Sequence, residues 1–266
     1  MTTLRIRGIG VWSPGVADWS LARTLLANGD WPASGDGRPA PTLMPANERR
    51  RAPESVLLAL AVAEQACMEA GVDAATLPSV FASIYGDLSI NDYMCATLRD
   101  DPSTMSPIRF HNSVHNAPSG YWSIATGAMA PTTSIAASRE TFAAGLLEAA
   151  CQAVDARAPV VLAAYDSAGA GPVGDIASVS RSFGCALVLD AAASEGPILR
   201  IEARPRNAVA SAGDMAGTAS GIAHLCSANP IAAGSIPLLA SVASGVPGTF
   251  SLQLSSGLEL HLELTP

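Results

Sequence analysis

Short apolar runs alternate with longer amphipathic stretches along most of this chain. Residues 4–12, 80–85, 131–136, 160–165 and 183–190 can all extend, and turn residues or polar segments follow them, as is typical of strands. Stretches with helical spacing separate most of them, and parallel strands need long connections of this kind. The pattern therefore predicts an α/β fold with a mixed, mostly parallel five-stranded sheet between helices.

The clearest helical stretch is ESVLLALAVAEQACMEAG, which follows Pro53 and ends at Gly71. Proline is preferred at the first position of a helix and glycine just after its last residue. A further helix is predicted at 88–100, and another at 113–127 with an interruption at Pro-Ser-Gly. Residues 28–53 have no apolar period and predict a long loop.

The pattern weakens beyond about residue 205. We therefore divide the chain into a first domain, 1–204, and a divergent C-terminal extension, 205–266, packed on the first. The extension predicts two short helices, at 216–228 and 235–244, and a terminal β-hairpin that turns near Gly257.

Composition excludes several classes of protein. The chain has 266 residues, of which 49% are hydrophobic, so it can bury a sizeable core. A net charge of −8 argues against a nucleic-acid partner, which needs clustered basic residues. The one dense basic run, Arg49-Arg50-Arg51, is either a solvated loop end or a docking patch for an acidic partner. The N-terminus does not match a signal peptide and no apolar run could span a membrane, so we expect a cytoplasmic protein.

No cofactor and no metal is expected. The five cysteines are widely spaced without a CxxC pair, which fits neither a disulfide framework nor a zinc site. Cys67, Cys151 and Cys185 lie in apolar stretches and are expected in the core. His111 and His115 lack an obvious third ligand. The glycine-containing loops do not match a phosphate-binding loop.

The candidate chemistry lies where the strand at 131–136 runs into a helix predicted from Thr141 to Ala153. Several α/β enzyme families hold a nucleophile at such a junction. Here the junction reads Ile-Ala-Ala-Ser-Arg-Glu, and its only hydroxyl, on Ser138, does not lie in a G-x-S-x-G motif.

The segment from 106 to 150 resembles the β-ketoacyl synthases of the thiolase fold. In the family pattern S/A-G-x-x-S-I-x-x-G-x-x-G-P, the corresponding residues are Ser119-Gly120, Ser123-Ile124, Gly127 and Pro131. The stretch LRIRGIGVWSPG resembles the opening strand of the family, and FGCALVLD resembles the strand that closes its first half. The resemblance covers roughly residues 4–191.

The departure from this family is at the nucleophile. Alignment on Ser134 and Gly145 places the catalytic cysteine of the family at Ala137, whose methyl group cannot be acylated. The second half of the chain holds only His224 and His261, and neither lies in a motif of a catalytic histidine. The resemblance therefore implies a degenerate active site, with no catalytic residue, formed by Ala137, Ser138, Arg139 and Glu140. Arg139 and Glu140 either fill the inactive pocket or form an exposed pair.

A chain of this kind resembles the chain-length factors of type II polyketide synthases, and above all the short versions of aryl-polyene pathways. The resemblance implies a heterodimer with an active ketosynthase, with an acyl carrier protein as an indirect partner. It also implies a dimer contact over residues 108–134. The implied interface and tunnel residues are Phe110, Val114, Tyr121, Trp122 and Ile124.

Alternatives stay open at this point. Tyr121 and Trp122 could instead be core side chains. The protein could be an acyl-thioester hydrolase or acyltransferase that uses Ser138, or a stand-alone binding protein for fatty acyl groups.

Overall fold

The computed structural model describes residues 1–177, 179–206 and 220–266. The strands of the described chain belong to one sheet and are β1 (Thr2–Trp12), β2 (Ser79–Ala82), β3 (Thr132–Ile135), β4 (Val160–Asp166), β5 (Phe183–Asp190), β6 (Ile198–Pro205), β7 (Gly248–Gln253) and β8 (Leu258–Thr265). The helices of the described chain are α1 (Trp19–Ala27), α2 (Ala46–Arg51), α3 (Glu54–Ala70), α4 (Leu88–Asp100), α5 (Pro107–His111), α6 (Ala117–Thr126), α7 (Thr141–Ala156), α8 (Gly171–Ala177), α9 (Ser220–Ala228) and α10 (Pro230–Ser244).

The strand order is β3-β2-β4-β5-β1-β6-β8-β7, with helices against the sheet. The α/β class and the thiolase-like layering predicted from the sequence are confirmed. The expectation of a mostly parallel, five-stranded sheet is corrected, because eight strands form the sheet and only β2–β3 and β2–β4 are parallel pairs. Long helical connections precede β3 and β4, which suit parallel pairing, whereas β6 and β8 follow links of a few residues, which suit antiparallel pairing.

Helix α3 is the centre of one layer. It follows Pro53 and is capped at its C-terminus by Gly71, which has the left-handed conformation. Both ends are as the terminal proline and glycine predict. The helix packs on β1, β4 and β5, and α6 covers part of it. A side chain at Gly8 or Gly10 of β1 would collide with carbonyl oxygens of α3, so these glycines allow the close approach.

The opposite face of the sheet is covered by α7 and α10, with α1 beside α10. The predicted apolar face of α7 is confirmed, since Phe142, Leu146, Ala149 and Ala153 are all buried. Cys67 and Cys185 are buried as expected, but Cys151 is exposed. Although Cys151 belongs to the apolar stretch, it lies on the side of α7 that faces away from the sheet.

Strands β6, β8 and β7 extend the sheet beyond β1, and β7 and β8 form a hairpin. Strand β6 runs across the proposed boundary at 204/205, which stays a prediction. Helix α9 occupies the described part of the segment 216–228, whereas 216–219 lie outside the described residues. Helix α10 begins at Pro230, five residues before the predicted start of the second helix.

Four helices of the described chain were missed from sequence. Helices α1, α5 and α8 were not predicted, and α2 lies inside the segment predicted as a loop. Asp18 caps α1 by accepting a hydrogen bond from the Leu21 amide. None of the helices in the described part of the chain combines the length and hydropathy that a membrane span requires.

Candidate functional site: a strand–helix elbow at the sheet edge

The junction between β3 and α7 is a tight elbow of five residues, 136–140. Ser138 adopts a left-handed backbone with φ +52°, which non-glycine residues rarely do outside functional or strained turns. Thr141 fixes the turn: its hydroxyl oxygen accepts from the Ala137 amide at 2.9 Å and donates to the Ser138 carbonyl at 2.6 Å. The elbow between strand and helix is therefore held in one conformation by the hydrogen bonds of Thr141.

Ala137 lies inside this elbow and is half-buried. A methyl side chain offers no lone pair, and so it can neither attack a thioester nor carry an acyl group. None of the residues 136–140 is a cysteine. The elbow thus keeps the geometry of a nucleophile site while its predicted nucleophile position carries no nucleophile.

Ser138 is exposed at the tip of the same elbow, and its described hydrogen bonds are made by its carbonyl oxygen. The Nε2 atom of His115 lies 2.8 Å from the Ser83 carbonyl, and His261 lies beside Glu263 within β8. Across the described residues, no histidine or carboxylate bonds to the Ser138 hydroxyl. The hydroxyl thus lacks the adjacent base that activates a serine nucleophile.

Glu140 is contacted by the C-terminal hairpin. Gln253, at the end of β7, donates from Nε2 to the Glu140 carboxylate at 2.8 Å, while Arg139 is exposed. Sequence reasoning missed Gln253, which lies 113 positions from its partner. The only available signal was a polar residue at the end of an alternating strand. That Arg139 and Glu140 fill an inactive pocket stays a prediction.

Several large apolar side chains between residues 108 and 129 are exposed, and we call this group the edge patch. The exposed fractions are 55% for Ile108, 61% for Phe110, 53% for Val114, 84% for Ile124 and 95% for Met129. Three of these, Phe110, Val114 and Ile124, are residues predicted for an interface. Exposed apolar side chains of this size mark surfaces that bind another protein when they form a contiguous patch.

The other two predicted interface residues, Trp122 and Tyr121, are not exposed. Trp122 is fully buried and packs edge-on against Phe81, with ring centroids 6.1 Å apart, so its expected place at an interface is corrected to the core. It lies on the side of α6 that faces α3, two positions from exposed Ile124. Tyr121 is half-buried, and its hydroxyl donates to the Asn112 side chain at 3.1 Å.

Strand β3 is the outermost strand at this end of the sheet and pairs with β2 on one side. The amides of Ser79 and Ser83 bond to the carbonyls of Pro131 and Ile135, so odd-numbered residues of β3 face β2. Because strand residues alternate, the backbone groups of Thr132 and Ser134 point to the open edge. An open edge of this kind is a template for another strand.

A buried carboxylate lies at the end of β4. Asp166 Oδ1 accepts from the Ser83 hydroxyl at 2.8 Å and from the Ile84 amide at 3.1 Å. Its Oδ2 has no partner among the described residues. Burial raises the pKa of Asp166 to about 7, against the lowering effect of these hydrogen bonds. Sequence reasoning missed it, although an aspartate that ends an all-apolar strand was a visible signal.

No group of three potential metal ligands comes together in the described ranges. His111 is exposed at the end of α5, while His115 contacts the Ser83 carbonyl, so the two histidines do not form a shared site.

The mixed sheet, which is layered with helices and ends in a strand–elbow–helix, matches the thiolase-like ketosynthase fold. The family model described as "Beta-ketoacyl synthase, N-terminal domain" matches residues 21–232, and the chain belongs to this family. No match was found among curated proteins.

Solved structures share the fold. A chain of the ketosynthase ApeO in complex with its chain length factor ApeC, from Xenorhabdus doucetiae, has a TM-score of 0.74 and 19% identity, covering 99% of this chain and 100% of that chain. A chain of AntDE:AntF, a type II acyl-carrier protein in complex with its ketosynthase, has a TM-score of 0.74 and 12% identity, covering 99% of both chains. The ishigamide ketosynthase/chain length factor has a TM-score of 0.70 and 16% identity, covering 98% and 99%.

Proposed function

We propose that this chain is a chain-length factor: a non-catalytic ketosynthase-like subunit that pairs with an active β-ketoacyl-ACP synthase and shapes its acyl tunnel. The pathway we propose is of the type II polyketide or fatty-acid-like kind that makes aryl polyenes. The observation that carries the proposal is the intact elbow with Ala137 at its nucleophile position.

The absence of a thiol supports a non-catalytic role. A family nucleophile at a helix N-terminus works because the helix dipole lowers the pKa of its thiol. Here the elbow retains the turn and the helix, while the group that the dipole would activate is missing. A ketosynthase fold without the nucleophile fits a subunit that contributes a binding surface to a partner.

The sheet edge supports pairing. The open backbone groups of β3 and the edge patch lie next to each other along the chain, between residues 108 and 135. Strand pairing would satisfy the open amides and carbonyls, and burial of the edge patch would supply the apolar contact of an obligate interface. We therefore place the heterodimer contact on β3 and the edge patch.

The tunnel assignment rests on the same surface. Phe110 and Tyr121 are aromatic, border the proposed contact and have few rotamers, so they suit the closed end of a tunnel in the partner. An acyl carrier protein would then meet this subunit only through the active ketosynthase. The pairing with a ketosynthase extends to this chain what the names of the similar structures say of their own proteins, whereas the tunnel residues are our own inference.

One observation favours a second function. Ser138 has the strained, exposed backbone that nucleophiles adopt at such elbows, which suits an acyl-thioester hydrolase or acyltransferase. The missing base argues against it, and we rank it second.

Reconstitution tests the proposal against this alternative. A candidate active ketosynthase from the same organism would be assayed with acyl and malonyl carrier proteins, alone and with this chain. We expect elongation only by the pair, loss of elongation when the partner's cysteine is removed, and no effect of Ser138→Ala. Thioester cleavage by the isolated chain that disappears in Ser138→Ala would establish the second function instead.

A further inference from the structure

A cavity of about 770 Å³ adjoins β1, and three strands separate β1 from the open edge strand β3. Strand β6 pairs only with residues 2–5 of β1, so among the described strands the later part of β1 has β5 as its single neighbour. Side chains of α3 bond to the backbone that this leaves open. The Val11 amide donates to Gln65 at 3.0 Å, and the Ile9 amide donates to the Glu69 carboxylate. The cavity therefore lies where a strand is missing but these amides already have partners.

The surface of this cavity is more apolar than polar. Its apolar lining comes from β1, α1, α3 and α10 and consists of Ile9, Trp19, Ala27, Met68 and Ala243. Trp19 is buried, whereas Met68 is 73% exposed. Small-molecule sites in proteins have volumes of this order, mostly apolar walls and a few polar groups that orient the ligand. The cavity thus has the size and the lining of a ligand site.

Two opposite charges line the cavity without forming an ion pair. Arg23 belongs to α1 and Glu69 to α3, and every ion pair in the described part of the chain involves other side chains. Burial raises the pKa of Glu69, whereas its bond to the Ile9 amide and the positive charge of Arg23 act against that rise. Ile9 uses one acceptor site of the Glu69 carboxylate, and the remaining sites can accept further hydrogen bonds. The two residues therefore leave room between them for a group that bonds to both.

We propose that this cavity binds an amphipathic carboxamide, a molecule with an apolar body and a neutral amide head. The apolar body lies against Trp19 and Met68, and the amide lies between Arg23 and Glu69. An amide oxygen accepts from a guanidinium and an amide N–H donates to a carboxylate, so one head group satisfies both residues. The inference goes beyond the proposed function, because it needs neither a ketosynthase nor an acyl carrier protein.

Other occupants fit the same cavity less well. A carboxylate head would face Glu69 and also Asp18, which lines the cavity and accepts from the Leu21 amide at 2.9 Å. The net charge of −8 disfavours an anion further. An amine head would face Arg23, and a charge that enters an apolar cavity beside a like charge is costly. A peptide strand would have to displace the α3 side chains from the β1 amides.

Isothermal titration calorimetry of the full chain with octanamide, octanoate and octylamine tests the proposal, because these probes share a chain length and differ in the head group. We expect saturable binding of octanamide, and the two charged probes should bind at least about tenfold more weakly. Arg23→Met should weaken octanamide binding about tenfold and strengthen octylamine binding, since it removes one hydrogen-bond donor and one repelling charge. The control, Arg99→Met, makes the same change on α4, outside the cavity lining, and its affinity for octanamide should stay within about twofold.

Several results would overturn the proposal. Equal affinity for the three probes would show that the cavity does not distinguish head groups, and tighter binding of octanoate or octylamine would show a site for anions or for cations. Equal octanamide affinity of Arg23→Met and the native chain would contradict the role of Arg23, as would absence of saturable octanamide binding. Circular dichroism checks that each variant folds. Thr24→Trp, at an exposed position that lines the cavity, should also weaken octanamide binding by narrowing it, and unchanged binding would place the ligand elsewhere.

Discussion

Ile124 tests the proposed heterodimer contact most sharply, because it is exposed in the single chain and makes little contribution to its core. Its side chain is 84% exposed on α6, a helix that also contacts the open strand β3. Full burial of an isoleucine side chain is worth about 1.5–3 kcal/mol. Since most of that burial is still available, truncation to alanine should cost the complex about 1–2.5 kcal/mol. At about 1.4 kcal/mol per decade, the Kd should rise about 5- to 60-fold.

Ile124→Asp should weaken the complex further, by more than about 100-fold, because an unpaired carboxylate would be buried against apolar surface. The affinity would be measured by surface plasmon resonance against the immobilised ketosynthase. Urea unfolding of each variant alone should differ from the native chain by less than about 0.5 kcal/mol, as for other exposed positions.

Ile176→Ala is the matched control, since Ile176 is 83% exposed but lies on α8, outside the segment 108–134. It should bind the ketosynthase as the native chain does. Equal affinity of Ile124→Ala, Ile124→Asp and the native chain would refute the reasoning, as would equal losses in Ile124→Ala and Ile176→Ala.

Three further predictions follow from the same structure. The pure chain, incubated with acyl and malonyl carrier proteins, should show no acyl mass shift, and a stable adduct would contradict the role assigned to Ala137. Trp122→Ala should destabilise the fold by about 3–5 kcal/mol in urea, whereas Phe110→Ala should leave stability unchanged and lengthen the product of the reconstituted pair, read by mass spectrometry. Because burial raises the pKa of Asp166 to about 7, the folded state binds its proton more tightly than the unfolded state, so stability should fall as pH rises from about 4 to 7. Asp166→Asn should flatten that slope in urea titrations, and an unchanged slope would show that Asp166 does not cause it.

Local signals, namely residues at helix ends and the spacing of apolar residues, explain which elements could be predicted from the sequence. Pro53 and Gly71 bracket α3, and the apolar face of α7 repeats at helical spacing, so both helices followed from the sequence. The signal for α1 was also present, as Asp18 precedes an apolar spacing of Trp19, Ala22 and Leu26, but it was not used.

Strand direction and side-chain burial depend on tertiary packing and could not be read in the same way. The alternation of strands and helices does not show that β1 lies between two antiparallel neighbours. Trp122 and Ile124 are both apolar and two positions apart, and only the position of α3 decides which one is buried. The bond from Gln253 to Glu140 joins distant parts of the chain, so no local pattern predicts it.

Hydrogen exchange at the open edge of β3 tests the central claim most directly. Amide exchange of residues 132–136 would be measured by mass spectrometry in the chain alone and in the presence of the active ketosynthase. Pairing across this edge predicts that the amides of Thr132 and Ser134 become strongly protected in the complex, while those of Thr133 and Ile135, which already face β2, and those of α8 are unchanged. Unchanged exchange at 132–136 in a complex that is otherwise intact would contradict the account.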